Sequence, residues 1–130
     1  TLGSAFLPPA SHAGGLRYHG MAPLVSQLVN LGEINPTAYS QTDCFDAGIT
    51  FARAEGIVPA PEANHAVKGA IVEALRCKEE GTSRAILFNL CGHGYFDMQA
   101  YTDYNSGKLE DYAYDESEVA MALAGLPSIS

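Results

Sequence analysis

Arg84-Ala-Ile-Leu-Phe-Asn-Leu-Cys-Gly-His-Gly-Tyr-Phe-Asp97 is the stretch on which the reading of this chain turns. From Arg84 to Leu90 it is an apolar run of strand length without clean alternation, the pattern of a parallel strand covered on both faces. Cys91 then falls at the carboxyl end of that strand, where open α/β sheets meet their ligands. Gly92 and Gly94 let the backbone turn tightly beside it. A second polar edge lies upstream, in Glu55-Gly-Ile-Val-Pro-Ala-Pro-Glu-Ala-Asn-His-Ala66. There Ile57 and Val58 form a brief extended piece, and Pro59 and Pro61 forbid helix until a new one starts near Glu62. A carboxylate in a helix's first turn is favoured electrostatically whatever its task, so Glu62 carries a structural reading beside a functional one.

The helix from Glu62 has an apolar stripe of Ala66, Val67, Ala70, Ile71, Ala74 and Leu75, with Glu73, Arg76, Glu79 and Glu80 mainly opposite and Gly81 as its stop. It is predicted to pack one face on a sheet. Upstream, Leu24, Val25, Leu28 and Leu31 at helical spacing predict a helix over 22–31 that ends at Gly32. Pro36 opens a segment, 37–41, that favours a strand, and Thr42 with Asp43 can cap a helix reaching about Ala54. Downstream, 96–104 reads as helix until Asn105-Ser-Gly107 breaks it, and an acidic loop over 109–116 leads into a terminal helix over 118–124. Alternating strands and helices predict an α/β layer structure with few, mostly parallel strands. Two or three strands are few for an independent doubly wound domain. The sheet is therefore expected to continue in strands from elsewhere in a longer polypeptide or from another subunit. The opening, Thr1-Leu-Gly-Ser, has no initiator Met and reads as the interior of such a polypeptide.

The composition narrows the classes of function. The 130 residues suffice for one compact domain with a core. Fifteen acidic residues against seven basic ones argue against nucleic acid or an anionic membrane surface as partner, because both need clustered Lys and Arg. No apolar run approaches the roughly 20 residues of a membrane span, and no signal segment opens the chain, so a cytoplasmic location is expected. Three cysteines without a C-x-x-C pair write neither a disulfide framework nor a zinc ribbon.

Gly14-Gly-Leu-Arg-Tyr-His-Gly-Met-Ala-Pro23, Cys44-Phe-Asp-Ala-Gly48, Phe51-Ala-Arg-Ala-Glu-Gly-Ile-Val-Pro-Ala-Pro-Glu62 and Phe88-Asn-Leu-Cys-Gly-His-Gly94 together resemble the C-terminal part of the tryptophan synthase β chain, closest to its longer, second type. The resemblance implies a three-layer α/β/α, fold type II domain that binds pyridoxal 5'-phosphate (PLP). In it, 1–107 is the C-terminal part of the large cofactor domain and 108–130 an extension with a terminal helix. It implies a lyase that condenses L-serine with indole to L-tryptophan by β-replacement, a homodimer, and an α subunit whose pairing the sequence leaves open. The family's Schiff-base lysine, acidic catalytic residue and glycine-rich phosphate cup have no match here, and Lys68, Lys78 and Lys108 read as solvated lysines. The chain alone is not expected to catalyse.

By the same resemblance the chain supplies the pyridine side of the cofactor site. Cys91 stands where the family has a Ser whose hydroxyl holds the ring nitrogen, and a thiol is a weaker donor and acceptor. Gly92 follows it, and Glu62 matches the family's Glu close to the ring. Carbonyl oxygens at Tyr18 and Gly20 match a loop that helps hold a monovalent cation. Arg17 replaces an Asp of the shorter type, and His93 an Arg. Other readings exist. Cys91, His93, His65 and Cys44 could be read as a metal set, but C-x-H matches no zinc framework. A nucleophilic pair of Cys91 with His93 or His65 lacks an orienting third group. Without the resemblance, Cys91 reads as a small buried hydrophobe. The alternative function is a freestanding α/β module that binds a small molecule or a partner without catalysis, using the Gly92-His93-Gly94 turn.

Overall fold

The computed structural model describes residues 1–113 and 115–127, which contain five α-helices: α1 (Pro23–Asn30), α2 (Gln41–Glu55), α3 (Pro61–Glu80), α4 (Met98–Asn105) and α5 (Glu116–Ala124). The chain divides into two compact units, one of Thr1–Ser11, Gly15–Ala38 and Tyr112–Ser130, the other of His12–Gly14 and Tyr39–Asp111.

The second unit is built on the pairing of α2 with α3. The Ser40 side chain accepts from the Asp43 amide and so caps α2, and Gly56 ends the helix in the left-handed conformation at φ 72°. α3 starts at Pro61, whose missing N–H costs nothing in a first turn, and Gly81 ends it at φ 65°. The two helices approach closely at Gly48. A Cβ there would lie 2.2 Å from Asn64 Oδ1, so the absence of a side chain makes room for a fully buried Asn. Phe45 then packs edge-on against Tyr101 of α4, with ring centroids 5.0 Å apart, and stacks on Tyr104 at 5.8 Å. Ile49, Val58 and Leu109 close this cluster.

Residues 109–111 pack onto this unit, Leu109 against the core and the next two at the surface. The Thr42 backbone amide and hydroxyl donate to the Asp111 carboxylate at 3.0 and 2.6 Å, and Gln41 Nε2 donates to the Glu110 carbonyl. The second compact unit thus runs through Asp111.

In the first unit, α1 ends before Gly32, at φ 77°, as its spacing predicts. α5 is capped by Asp115, which accepts from the Ser117 amide. Gly3, at φ 77°, lets the N-terminal segment approach Leu126.

The expected strands do not form. Among the described residues there is no β-strand, only an isolated antiparallel bridge between Pro59 and His93. Residues 82–91 run without regular structure, and 37–40 lead as coil into the Ser40 cap. A strand is defined by its neighbour, and these residues have no pairing segment within the described chain. For the same reason α3 packs on α2 and not on a sheet. Its buried side runs through Ala63, Asn64, Val67 and Cys77, while Ala74 and Leu75 of the predicted stripe are exposed.

Candidate functional site

The two polar stretches singled out in the sequence meet. The Ala60 amide donates to the Gly92 carbonyl at 2.9 Å, and the Gly94 amide donates to the Val58 carbonyl at 2.7 Å. These bonds flank the Pro59–His93 bridge and fasten the Cys91-Gly92-His93-Gly94 turn to the approach of α3. Gly94 is needed for the contact, and Gly92 eases it. A Cβ on Gly94 would stand 2.4 Å from the Pro59 carbonyl oxygen, and one on Gly92 would stand 3.1 Å from the Ala60 Cβ. Glu62 sits in the first turn of α3, two residues past Ala60, with its carboxylate on the favourable end of the helix dipole. Cys91 is exposed at the end of the extended apolar segment. Phe88 anchors that segment by an edge-on contact with Phe51 of α2, centroids 5.9 Å apart.

Beneath this edge lies a polar cluster that sequence reasoning missed. The Tyr101 hydroxyl donates to the Pro59 carbonyl at 2.6 Å and accepts from Asn64 Nδ2 at 3.0 Å. Burial pushes the Tyr101 phenol above its ordinary pKa, with the Asn64 hydrogen bond opposing, so the hydroxyl keeps the proton it donates. The available signals were an Asn within the apolar side of α3 and a Gly inside the pattern of α2, which together mark a close polar crossing.

Other candidates separate. Cys44 is buried, and desolvation pushes its thiol up to about 11, so it stays a neutral hydrophobe and not a metal-binding thiolate. His65 Nδ1 lies 3.1 Å from the Pro61 carbonyl, one turn back on its own helix. His93 Nδ1 accepts from the Tyr95 amide at 3.3 Å, a local turn contact. Among the described residues no group of three or more His, Cys, Asp or Glu converges on a point where a metal ion could sit. Tyr18 and Gly20 lie in the first unit, where the intervening His19 carbonyl accepts from the Thr1 hydroxyl at 3.1 Å. Arg17 donates to the Pro8 carbonyl at 3.2 Å. Lys68 is held by Asp43 at 3.1 Å, on α2. No helix among the described residues is long and apolar enough to cross a membrane.

The edge can be tested for its fit to PLP. An exposed thiol at the end of an extended segment, with Gly92 after it, offers a polar atom to a flat ring. A carboxylate stands in the neighbouring helical turn. The donor set matches a pyridine edge, and groups to hold a phosphate are not among these residues.

Comparison with known proteins points first to a class, the synthase subunits. The chain is 63% identical, over 111 residues and 85% of its length, to a protein named tryptophan synthase beta chain 2 from Aquifex aeolicus. It is 56% identical over 88% of its length to the tryptophan synthase beta chain of Thermococcus gammatolerans, and 53% identical over 94% to that of Pyrococcus horikoshii. The chain spans about a quarter of the length of these relatives, 26% of the first. No protein-family model matches it. The chain thus corresponds to a portion of a tryptophan synthase β-like subunit, as its four motifs imply.

Proposed function

We propose that the chain forms the pyridine side of a PLP site in a tryptophan synthase β-type subunit, a lyase that joins L-serine and indole into L-tryptophan by β-replacement. The observation that carries this reading is the lacing of the Cys91-Gly92 turn onto the approach of α3, which brings two distant motifs to one edge. Likeness to relatives named for tryptophan synthesis supports it.

Bound at this edge, PLP would supply the electron sink for chemistry at the serine α and β carbons. Cys91 would hold the ring nitrogen through its thiol. A neutral thiol there, like the hydroxyl it replaces, would not protonate that nitrogen as an aspartic acid would, and would leave the ring a modest electron sink. Glu62 would lie beside the ring, and Gly92 would let the backbone approach it. Neither the Schiff-base lysine nor the phosphate loop has a match in this chain, so catalysis requires the remainder of the subunit.

The domain is of fold type II, three-layered, with 1–107 in the large cofactor domain and 108–130 an extension whose first residues fasten onto α2. The carbonyls of Tyr18 and Gly20 contribute to a monovalent-cation site. The subunit is a cytoplasmic homodimer, and an α subunit is a candidate partner.

The test is Cys91→Ser in the complete subunit. The variant is expected to keep PLP and most of its activity with serine and indole. Loss of the cofactor on this change would overturn the assignment of Cys91.

A further inference from the structure

We infer that Tyr101 and Asn64 are positioning residues for the cofactor edge: by holding the Pro59 carbonyl they set the spacing between the Cys91-Gly92 turn and the first turn of α3. Neither belongs to the edge itself. The inference rests on the cofactor reading above, since spacing matters there only if Cys91 and Glu62 face one ligand.

Pro59 is fully buried, and its carbonyl receives the Tyr101 hydroxyl at 2.6 Å. The same carbonyl oxygen lies against Gly94, where even a Cβ would approach to 2.4 Å. Pro59 is thus gripped from α4 on one side and by the glycine turn on the other. Its neighbours Val58 and Ala60 carry the two backbone bonds that locate Gly94 and Gly92. Asn64 completes the grip. It is fully buried one turn into α3, donates to the Tyr101 hydroxyl at 3.0 Å, and occupies the space Gly48 leaves on α2. Tyr101 is itself fixed by Phe45. One hydroxyl therefore links α4, the start of α3 and, through Pro59, the turn that presents Cys91. Removing it leaves a buried carbonyl and a buried amide without their partner, and the least costly relief is a shift of the Pro59 segment. Such a shift moves Glu62 and Gly92 relative to each other.

The experiment is a PLP titration of the complete apo subunit, read by absorbance of the bound cofactor well below the melting transition. Tyr101→Phe retains the ring against Phe45 and is expected to raise the PLP dissociation constant roughly fivefold or more, as loss of a supporting contact does at other preorganised sites. Asn64→Ala keeps the Tyr101–Pro59 bond and is expected to give a smaller rise; it carries the test if Tyr101→Phe does not fold. Ile49→Val, which trims the same core without removing a hydrogen bond of the Tyr101–Asn64–Pro59 cluster, is expected to lower Tm without moving the constant. If Tyr101→Phe and Asn64→Ala lower Tm but titrate like the parent, the two residues are merely structural and the inference falls. In that case Cys91→Val still weakens PLP and the cofactor reading stands. If Cys91→Val binds PLP as tightly as the parent, or the parent binds none, the cofactor reading fails and takes the inference with it.

Discussion

Gly48 and Gly69 both lie inside long helices, yet a methyl group at each meets a different neighbour. At Gly48 it would stand 2.2 Å from Asn64 Oδ1, and that side chain is buried and hydrogen-bonded, so it has nowhere to go. At Gly69 the nearest atoms belong to Tyr39, at an ordinary 3.9 Å. Gly48→Ala is therefore expected to destabilise by about 1–3 kcal/mol, as overpacking does. Gly69→Ala is expected to stabilise by about 0.5–1 kcal/mol through the lower backbone entropy of Ala in the unfolded chain. Urea melts of the two variants check the pair, and equal shifts of the same sign would refute the close crossing. The sign of each change is invisible in sequence, where both glycines interrupt helical patterns alike. The places of Cys91 and Gly92 at a turn and of Glu62 at a helix start were legible, because Gly and Pro punctuate both. Asn64 and Tyr101 were not, because their roles come from meeting each other across 37 positions of chain.

Among the elements, α2 shows how a helix end becomes an anchor. Its first turn is capped locally by Ser40 and from a distance by Asp111, and Lys68 reaches Asp43 from α3. The Lys68 hydrogen bond, then that of Ser40, holds the Asp43 carboxyl below its usual range; hydrogen bonds from Thr42 do the same for Asp111. Both carboxylates bind protons less readily when folded than when unfolded, so their contribution is fully present above the unfolded value of about 3.9 and is lost as pH falls through the lower folded values. Thermal melts between neutral pH and pH 3 are expected to show it. Asp111→Asn should melt below the parent at neutral pH, with the difference shrinking on the acid side; parallel acid limbs in the two proteins would remove Asp111 from this account. The sequence predicts a cap at Thr42 and Asp43; Ser40, read there as part of an extended segment, takes that place instead. Asp111, far along the chain, the sequence gives no reason to choose.

For the whole chain, the segment from Arg84 to Leu90 is where reading and structure diverge most, and the divergence has a physical cause. Its composition suits a strand covered on both faces, yet no strand pairs with it among the described residues, and Leu87 is 96% exposed. Helices satisfy their backbone internally and form wherever their own turns allow; a strand must find its hydrogen bonds in another segment. That asymmetry explains why all five helices of the described residues lie close to where spacing and caps put them while the strands do not. Under the proposed reading, the partners belong to the part of the subunit that this chain, a quarter of the length of its relatives, does not span. Hydrogen exchange then separates two outcomes. In the isolated chain the amides of 85–90 are expected to exchange within seconds, while those of α3 near Val67, fully buried, are protected. In the complete subunit the same amides should slow by orders of magnitude, and Leu87→Asp should restore their fast exchange and weaken the cofactor held at Cys91. Protection of 85–90 in the isolated chain would mean that the segment finds its partner within these residues, and an exposed edge awaiting neighbouring strands would have to be abandoned.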